Sequence, residues 1–175
     1  MKRANHKNAK KNPSLEVIIE TPRGSRNKYK YEPSNKSYKL SKVMPEGMVF
    51  PYDFGCIPAT KAEDGDPLDV LVLTDEPLFP GCLIDCKLIG VIEAEQEEEG
   101  ETNRNDRLIA VANQSLLYSE VENLHGLNPV VLKQIKDFFV NYQRVRDVRV
   151  KILGHYGPER ALEVLQRAAT HKHAA

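Results

Sequence analysis

Residues 63–69 read Glu-Asp-Gly-Asp-Pro-Leu-Asp and place four carboxylates, Glu63, Asp64, Asp66 and Asp69, in seven positions ahead of an apolar run. Two carboxylates about 4 Å apart repel by about 4 kcal/mol at an effective dielectric of about 20. A bound cation removes that cost. Donors that are all hard oxygen, with no sulfur or imidazole among them, select magnesium, manganese or calcium. Gly65 permits a sharp turn and Pro67 stiffens the chain before the strand, so Asp69 projects from the start of a fixed element. Two other readings of the same residues stand beside this one. Aspartates in an acidic surface turn cap backbone amides. A calcium loop of the EF-hand type ends in Glu between two helices, whereas here a proline and a strand follow.

Strands in the first half must position this segment. Residues 15–19 form a short apolar run ended by Pro22 and Gly24. Residues 28–32 alternate basic and aromatic side chains, residues 38–40 alternate too, and residues 68–73 are mostly branched aliphatic. These patterns predict strands. Residues 82–92 predict a long strand with residues 108–112 as its hairpin partner. The glutamate-rich residues 93–101 between them read as a solvated tip. Near the end, Asn128 caps a helix that opens on Pro129, and Val131, Ile135, Phe138, Phe139 and Tyr142 form its apolar stripe. A strand over 148–153 follows, then a second helix opened by Gly157 and Pro158, with Ala161, Leu162, Leu165 and Ala168 on one face. Short strands followed by helices predict an α+β fold, mainly β, with a small barrel-like sheet.

The whole-chain totals exclude several functions. The 175 residues suit one domain, over 14–170, between a basic tail at 1–13 that reads as disordered and a short tail at 171–175. Lys and Arg (25) balance Asp and Glu (25), so no global field draws nucleic acid or an anionic membrane. No bilayer-length apolar stretch or secretory signal is present, which predicts a soluble cytoplasmic protein. Cys56, Cys82 and Cys86 are an odd, sparse set and argue against a disulfide framework. Cys82 and Cys86 share one face of their strand as small core residues. The five histidines form no ligand pair and read as solvated, with His125 and His155 standing alone.

The run from Asp64 to Val70 resembles the signature of the family I inorganic pyrophosphatases. Other segments resemble that family too: Glu16 to Pro22 its opening strand, Asn27-Lys28-Tyr29 its lysine-tyrosine strand, Met48 to Gly55 the run before the signature, and Phe138 to Tyr142 its helix. The resemblance implies an OB-like five-stranded β-barrel with flanking C-terminal helices, and a homo-oligomer that is a hexamer in bacterial members. It implies hydrolysis of pyrophosphate by a metal-activated water, with Mg2+ as cofactor and Mn2+ as the alternative. By this resemblance Asp64, Asp66 and Asp69 are metal ligands, Asp66 also accepts the water's proton, and Asp106 is the ligand from the hairpin. Lys28, Lys42, Arg107 and Tyr142 contact the phosphates, with Tyr142 also catalytic. Glu20, Lys30 and Phe54 support the site.

This chain departs from the family pattern at several positions. Lys30 stands where the family has glutamate, Phe54 where many members have tyrosine, Gln143 where many have lysine, and Asn105 where an aspartate is expected. Lys42 stands for arginine and Arg107 for lysine. From the residues alone, Lys28 is equally a solvated strand lysine, Tyr142 a core ring with its hydroxyl at the rim, and Glu20 an edge-strand charge. Two other functions therefore stand beside the hydrolase: a weakened relative that binds phosphate compounds, and an OB-like nucleic-acid module using the basic tail with Tyr29, Tyr31 and Tyr38. Neutral charge and the aspartates speak against the second.

Overall fold

Leu15, Val17 and Ile19 are buried while Ser14 and Glu16 are exposed, an alternation that makes Ser14–Thr21 a strand, β1. The computed structural model describes residues 14–170 apart from Pro33, Asp64 and Arg146; both expected tails lie outside the described residues. The hairpin of β2 (Asn27–Glu32) and β3 (Ser37–Val43) forms a sheet of its own. Then come β4 (Asp53–Cys56), β5 (Asp69–Leu73), β6 (Leu83–Glu98), β7 (Glu101–Arg104) and β8 (Arg107–Ala112). Helix α1 (Pro129–Arg144), β9 (Arg149–Tyr156) and α2 (Pro158–Thr170) complete the order.

Pairing runs β1-β4-β5-β8-β6 and returns from β6 to β1, a closed ring of five strands flanked by two helices. This is the OB-like architecture that the sequence implied. In β5, Val70, Leu71, Val72 and Leu73 are all buried, because both faces are covered. Val70 and Val72 pack into a cluster that takes in Ala161, Val164 and Ala168 of α2. Leu71 and Leu73 pack with Ile135, Phe139 and Tyr142 of α1. The α1 entry is as predicted: Asn128 accepts a hydrogen bond from the Val130 N–H at 2.9 Å, and Pro129 opens the helix.

Close approaches depend on two glycines. A Cβ on Gly55 would lie 2.1 Å from the Ile18 carbonyl oxygen, so only glycine lets β4 cross β1 at that point. A Cβ on Gly90 would lie 2.4 Å from the Tyr156 carbonyl oxygen, beside a bulge at Ile89 in the β6–β8 pairing. The β4 strand was not legible as one. Its Asp53 is fully buried and structural, accepting the Arg23 N–H at 2.7 Å and the Thr74 hydroxyl at 2.6 Å.

Two expectations need correction. The glutamate run is a solvated tip only at its far end: β6 continues through it to Glu98, residues 97–101 are exposed, and Glu99 and Gly100 turn the chain. The reason is pairing, since β9 lies along Val91 to Glu97 and β7 along Glu95 to Glu98. Nor do His125 and His155 stand alone. Their ring centroids are 5.4 Å apart, because β9 carries His155 beside the turn that holds His125. Burial, with Lys136 and His125 adding to it, lowers the His155 pKa below its ordinary 6.5. Cys82 and Cys86 do pack against one cluster.

Candidate active site

Asp66 sits on a pinned loop between β4 and β5. The Thr60 hydroxyl donates to the Ile57 carbonyl at 2.7 Å and its oxygen accepts the Leu68 N–H at 2.9 Å. The Ala62 N–H donates to the Asp66 carbonyl at 2.7 Å, and Gly65 takes a φ of +87° that L-residues rarely adopt. The Asp66 carboxylate is thereby delivered to a cleft of about 240 Å³. Asp69, the first residue of β5, lines the same cleft. Register decides its neighbour. Parallel β5 and β8 pair Val70 with Leu108, which brings Asp69 to Arg107 at 2.9 Å. Arg107 is 9% exposed, and its guanidinium lies 5.9 Å from the centroid of the Phe139 ring.

The opposite wall is the β2–β3 hairpin. Lys28 lies directly across from Lys42, and Lys30 shares their wall of the cleft. Like charges placed opposite one another in a ladder destabilise it, so this wall is built to meet negative charge. The Lys28 ammonium is 5.1 Å from the Phe54 ring and 5.5 Å from the Tyr142 ring, which hold it by cation–π attraction. Phe50 packs against Phe54, Phe138 and Tyr142 at centroid separations of 5.7, 5.2 and 5.8 Å and fixes those rings. The Tyr142 hydroxyl is buried without a hydrogen-bond partner among the described residues. Lys30 forms an ion pair with Asp66 at 2.6 Å. Behind them Glu20 is 6% exposed and accepts the Tyr31 N–H at 2.9 Å. Burial raises its pKa above the ordinary 4.5. The Tyr31 N–H opposes that rise, Asp69 adds to it, and Lys28 and Lys30 oppose it.

Most of the expected site residues therefore come together. Glu20, Lys28, Lys30, Lys42, Asp66, Asp69, Arg107 and Tyr142 line one cleft, and Phe54 backs it. Asp64 lies outside the described residues. Asp106, expected as the hairpin ligand, is not brought in. It lines a neighbouring cavity of about 330 Å³ and not the cleft, whereas Asn105 and Arg107 line both. There Asp106 accepts from Arg104 at 2.7 Å and from the Ala94 N–H at 3.1 Å. Burial raises its pKa above the ordinary 3.8 although Arg104 and that N–H oppose the rise.

The donor set fits a hard divalent cation. Glu20, Asp66, Asp69 and Glu98 offer oxygen, and the one thiol in the cleft, Cys56, is pushed up to about 12 by burial, with Glu20 and Asp69 adding to it, and stays protonated. Among the described residues no three such groups converge closely enough to hold an ion. Asp66 is engaged by Lys30 and Asp69 by Arg107.

Residues 17–173 match the family model described as inorganic pyrophosphatase. The inorganic pyrophosphatase of Methanosarcina acetivorans is 38% identical over 152 residues, 87% of this chain and 88% of that protein. That of Geobacillus stearothermophilus is 36% identical over 154 residues, 88% and 91% of the two chains. The crystal structure of inorganic pyrophosphatase from Thermus thermophilus superposes with a TM-score of 0.85 at 31% identity, covering 96% of this chain and 95% of that one. The chain belongs to the inorganic pyrophosphatase family. Within this pyrophosphatase fold the sequence reading missed part of the cleft wall. Gln96 and Glu98 of β6 line the cleft. Gln96 accepts from the side-chain amide of Asn105 at 2.5 Å and from that of Gln143 at 3.2 Å, so three amides brace the wall. Their signal was the two-residue spacing of Gln96 and Glu98 along a strand, which the glutamate run concealed.

Proposed function

We infer that the chain hydrolyses inorganic pyrophosphate to two orthophosphates, and that it does so with a divalent cation, magnesium first and manganese second, held by Asp66 and Asp69 together with Asp64. The observation that carries this reading is the facing of opposite charges across one cleft: Lys28 and Lys42 on the hairpin and Arg107 on the barrel, against Asp66 and Asp69. Pyrophosphate is a dense polyanion whose anhydride resists an anionic nucleophile. The bound cation would neutralise phosphate charge and acidify a water.

The chain's own residues supply the rest. Lys28, Lys42 and Arg107 bind and orient the phosphates as preorganised donors. Lys28 is fixed for this by the Phe54 and Tyr142 rings. The Tyr142 hydroxyl donates to a phosphate oxygen, which gives a partner to a buried group that otherwise lacks one. Asp66 accepts the proton of the attacking water, whose oxygen bonds to phosphorus as the bridging P–O bond breaks and orthophosphate leaves. Asp106 is not assigned a ligand role; Glu98 is the hairpin carboxylate on the cleft wall.

Phosphate release from pyrophosphate, with and without magnesium, tests the reading. Asp66→Asn should lower kcat/KM by about 100-fold or more; an intact, folded chain that releases no phosphate under any metal would remove it. No helix among the described residues is long and apolar enough to cross a membrane. A cytoplasmic location and assembly as a homo-oligomer, the hexamer of the resemblance, complete the proposal. Fractionation of cells into cytosol and membrane checks the first. Light scattering checks the second, where a monomer mass would reject it.

A further inference from the structure

Lys30 and Asp66 meet at 2.6 Å, and their side chains are 49% and 55% exposed. Asp66 leaves a pinned loop and Lys30 leaves strand β2, so the carboxylate is set by its backbone while the ammonium ends a four-carbon stem with several rotatable bonds. An ammonium within hydrogen-bond reach of a carboxylate occupies the space and field that a divalent ion on the same oxygen would need. Its neighbours in the cleft carry both signs, with Glu20 and Glu98 on the acidic side. Lys28 shares the Lys30 wall, Lys42 faces Lys28, and Lys39 lies across the hairpin from Lys30. Asp69, the other described signature carboxylate, is engaged by Arg107.

Resting on the reading of Asp66 as a metal ligand, we propose that Lys30 is a built-in competitor for the metal position on Asp66: a divalent ion binds there only by displacing the ammonium. The displaced ammonium stays on the cleft wall beside Lys28, where an incoming phosphate meets it. The substrate-free protein therefore holds its metal more weakly than its carboxylates alone dictate. Lys30 acts through Asp66 as a positioning residue.

Calorimetric titration of the full-length, metal-free protein with Mn2+, in the absence of substrate, tests this. Lys30→Met should tighten Mn2+ binding about tenfold. Lys30→Arg, which keeps the charge, should leave it near the starting affinity. So should Lys39→Met, which removes a charge from the same hairpin without touching Asp66. Circular dichroism melts confirm that each variant is folded. Unchanged affinity in Lys30→Met overturns the proposal and leaves metal-dependent hydrolysis standing. Equal tightening in Lys39→Met overturns it too, because general charge and not displacement would then be the cause. Mn2+ binding that is the same in Asp66→Asn as in the unaltered chain removes Asp66 as a ligand, and the proposal with it.

Discussion

Tyr142 separates stability from activity more cleanly than any other residue of the cleft. Its ring packs against Phe50 and Phe138, but its hydroxyl is buried with no partner among the described residues. An unsatisfied buried hydroxyl costs about 1 to 3 kcal/mol. Tyr142→Phe should therefore raise stability by about 1 kcal/mol in urea unfolding while lowering kcat/KM by about tenfold, the loss of one phosphate donor. A loss of stability would mean that the hydroxyl has a partner in the folded apo protein. Asn105 and Asp106 show how one step along the chain decides a role. Asn105 joins the cleft through Gln96, whereas the Asp106 carboxylate binds Arg104 on the other side.

At the scale of elements, the position of β4 against β1 rests on one absent side chain. Gly55→Ala would force a methyl to within 2.1 Å of the Ile18 carbonyl oxygen, where no rotamer relieves the clash because the obstacle is backbone. We expect a loss of about 3 kcal/mol or more in denaturant unfolding, together with impaired hydrolysis, since β4 pairs with the strand that starts at Asp69. An unchanged midpoint would show that the strands separate there at little cost. Such local features decided what could be read from the sequence. Helix α1 was legible because Asn128, Pro129 and a helical apolar stripe all agree, and β5 because four consecutive aliphatic residues need both faces covered. Strand β4 was not, since Asp53 and Gly55 read as loop residues until the partners of Asp53 and the closeness of Ile18 are known. The signature aspartates and Lys28 were visible as residue types in pattern. Gln96 and Glu98 were hidden because a glutamate run looks solvated, and only pairing with β9 and β7 shows it to be strand.

A charge network ties β6 and β7 to the last helix. Glu93 of β6, 6% exposed, pairs with Arg104 of β7 and with Arg160 of α2. Burial is the strongest influence on this carboxyl and pushes its pKa upward, but Arg160 and Arg104 together outweigh it and hold the pKa below the ordinary 4.5. Stability from a depressed carboxylate is present above the unfolded value and is lost as pH falls through the folded one. Glu93→Gln should cost about 2 to 3 kcal/mol at pH 7, less than the about 3 to 5 of a fully buried pair because both arginines reach water. The difference from the unaltered chain should narrow as pH drops below 4.5; a gap that stays constant down to strong acid would place the loss elsewhere. The order of the ring has a consequence for synthesis on the ribosome. The strand between β5 and β6 is β8, the last of the five to be made. A nascent chain that has delivered β1 through β6 still presents β5 and β6 as open sheet edges, each a template for another chain. Arg107 and Tyr142, which complete the cleft, follow those strands in the chain. Translation that stalls before Ala112 thus releases an adhesive fragment with no complete cleft, so the part of the message from Arg107 onward governs both solubility and the onset of activity.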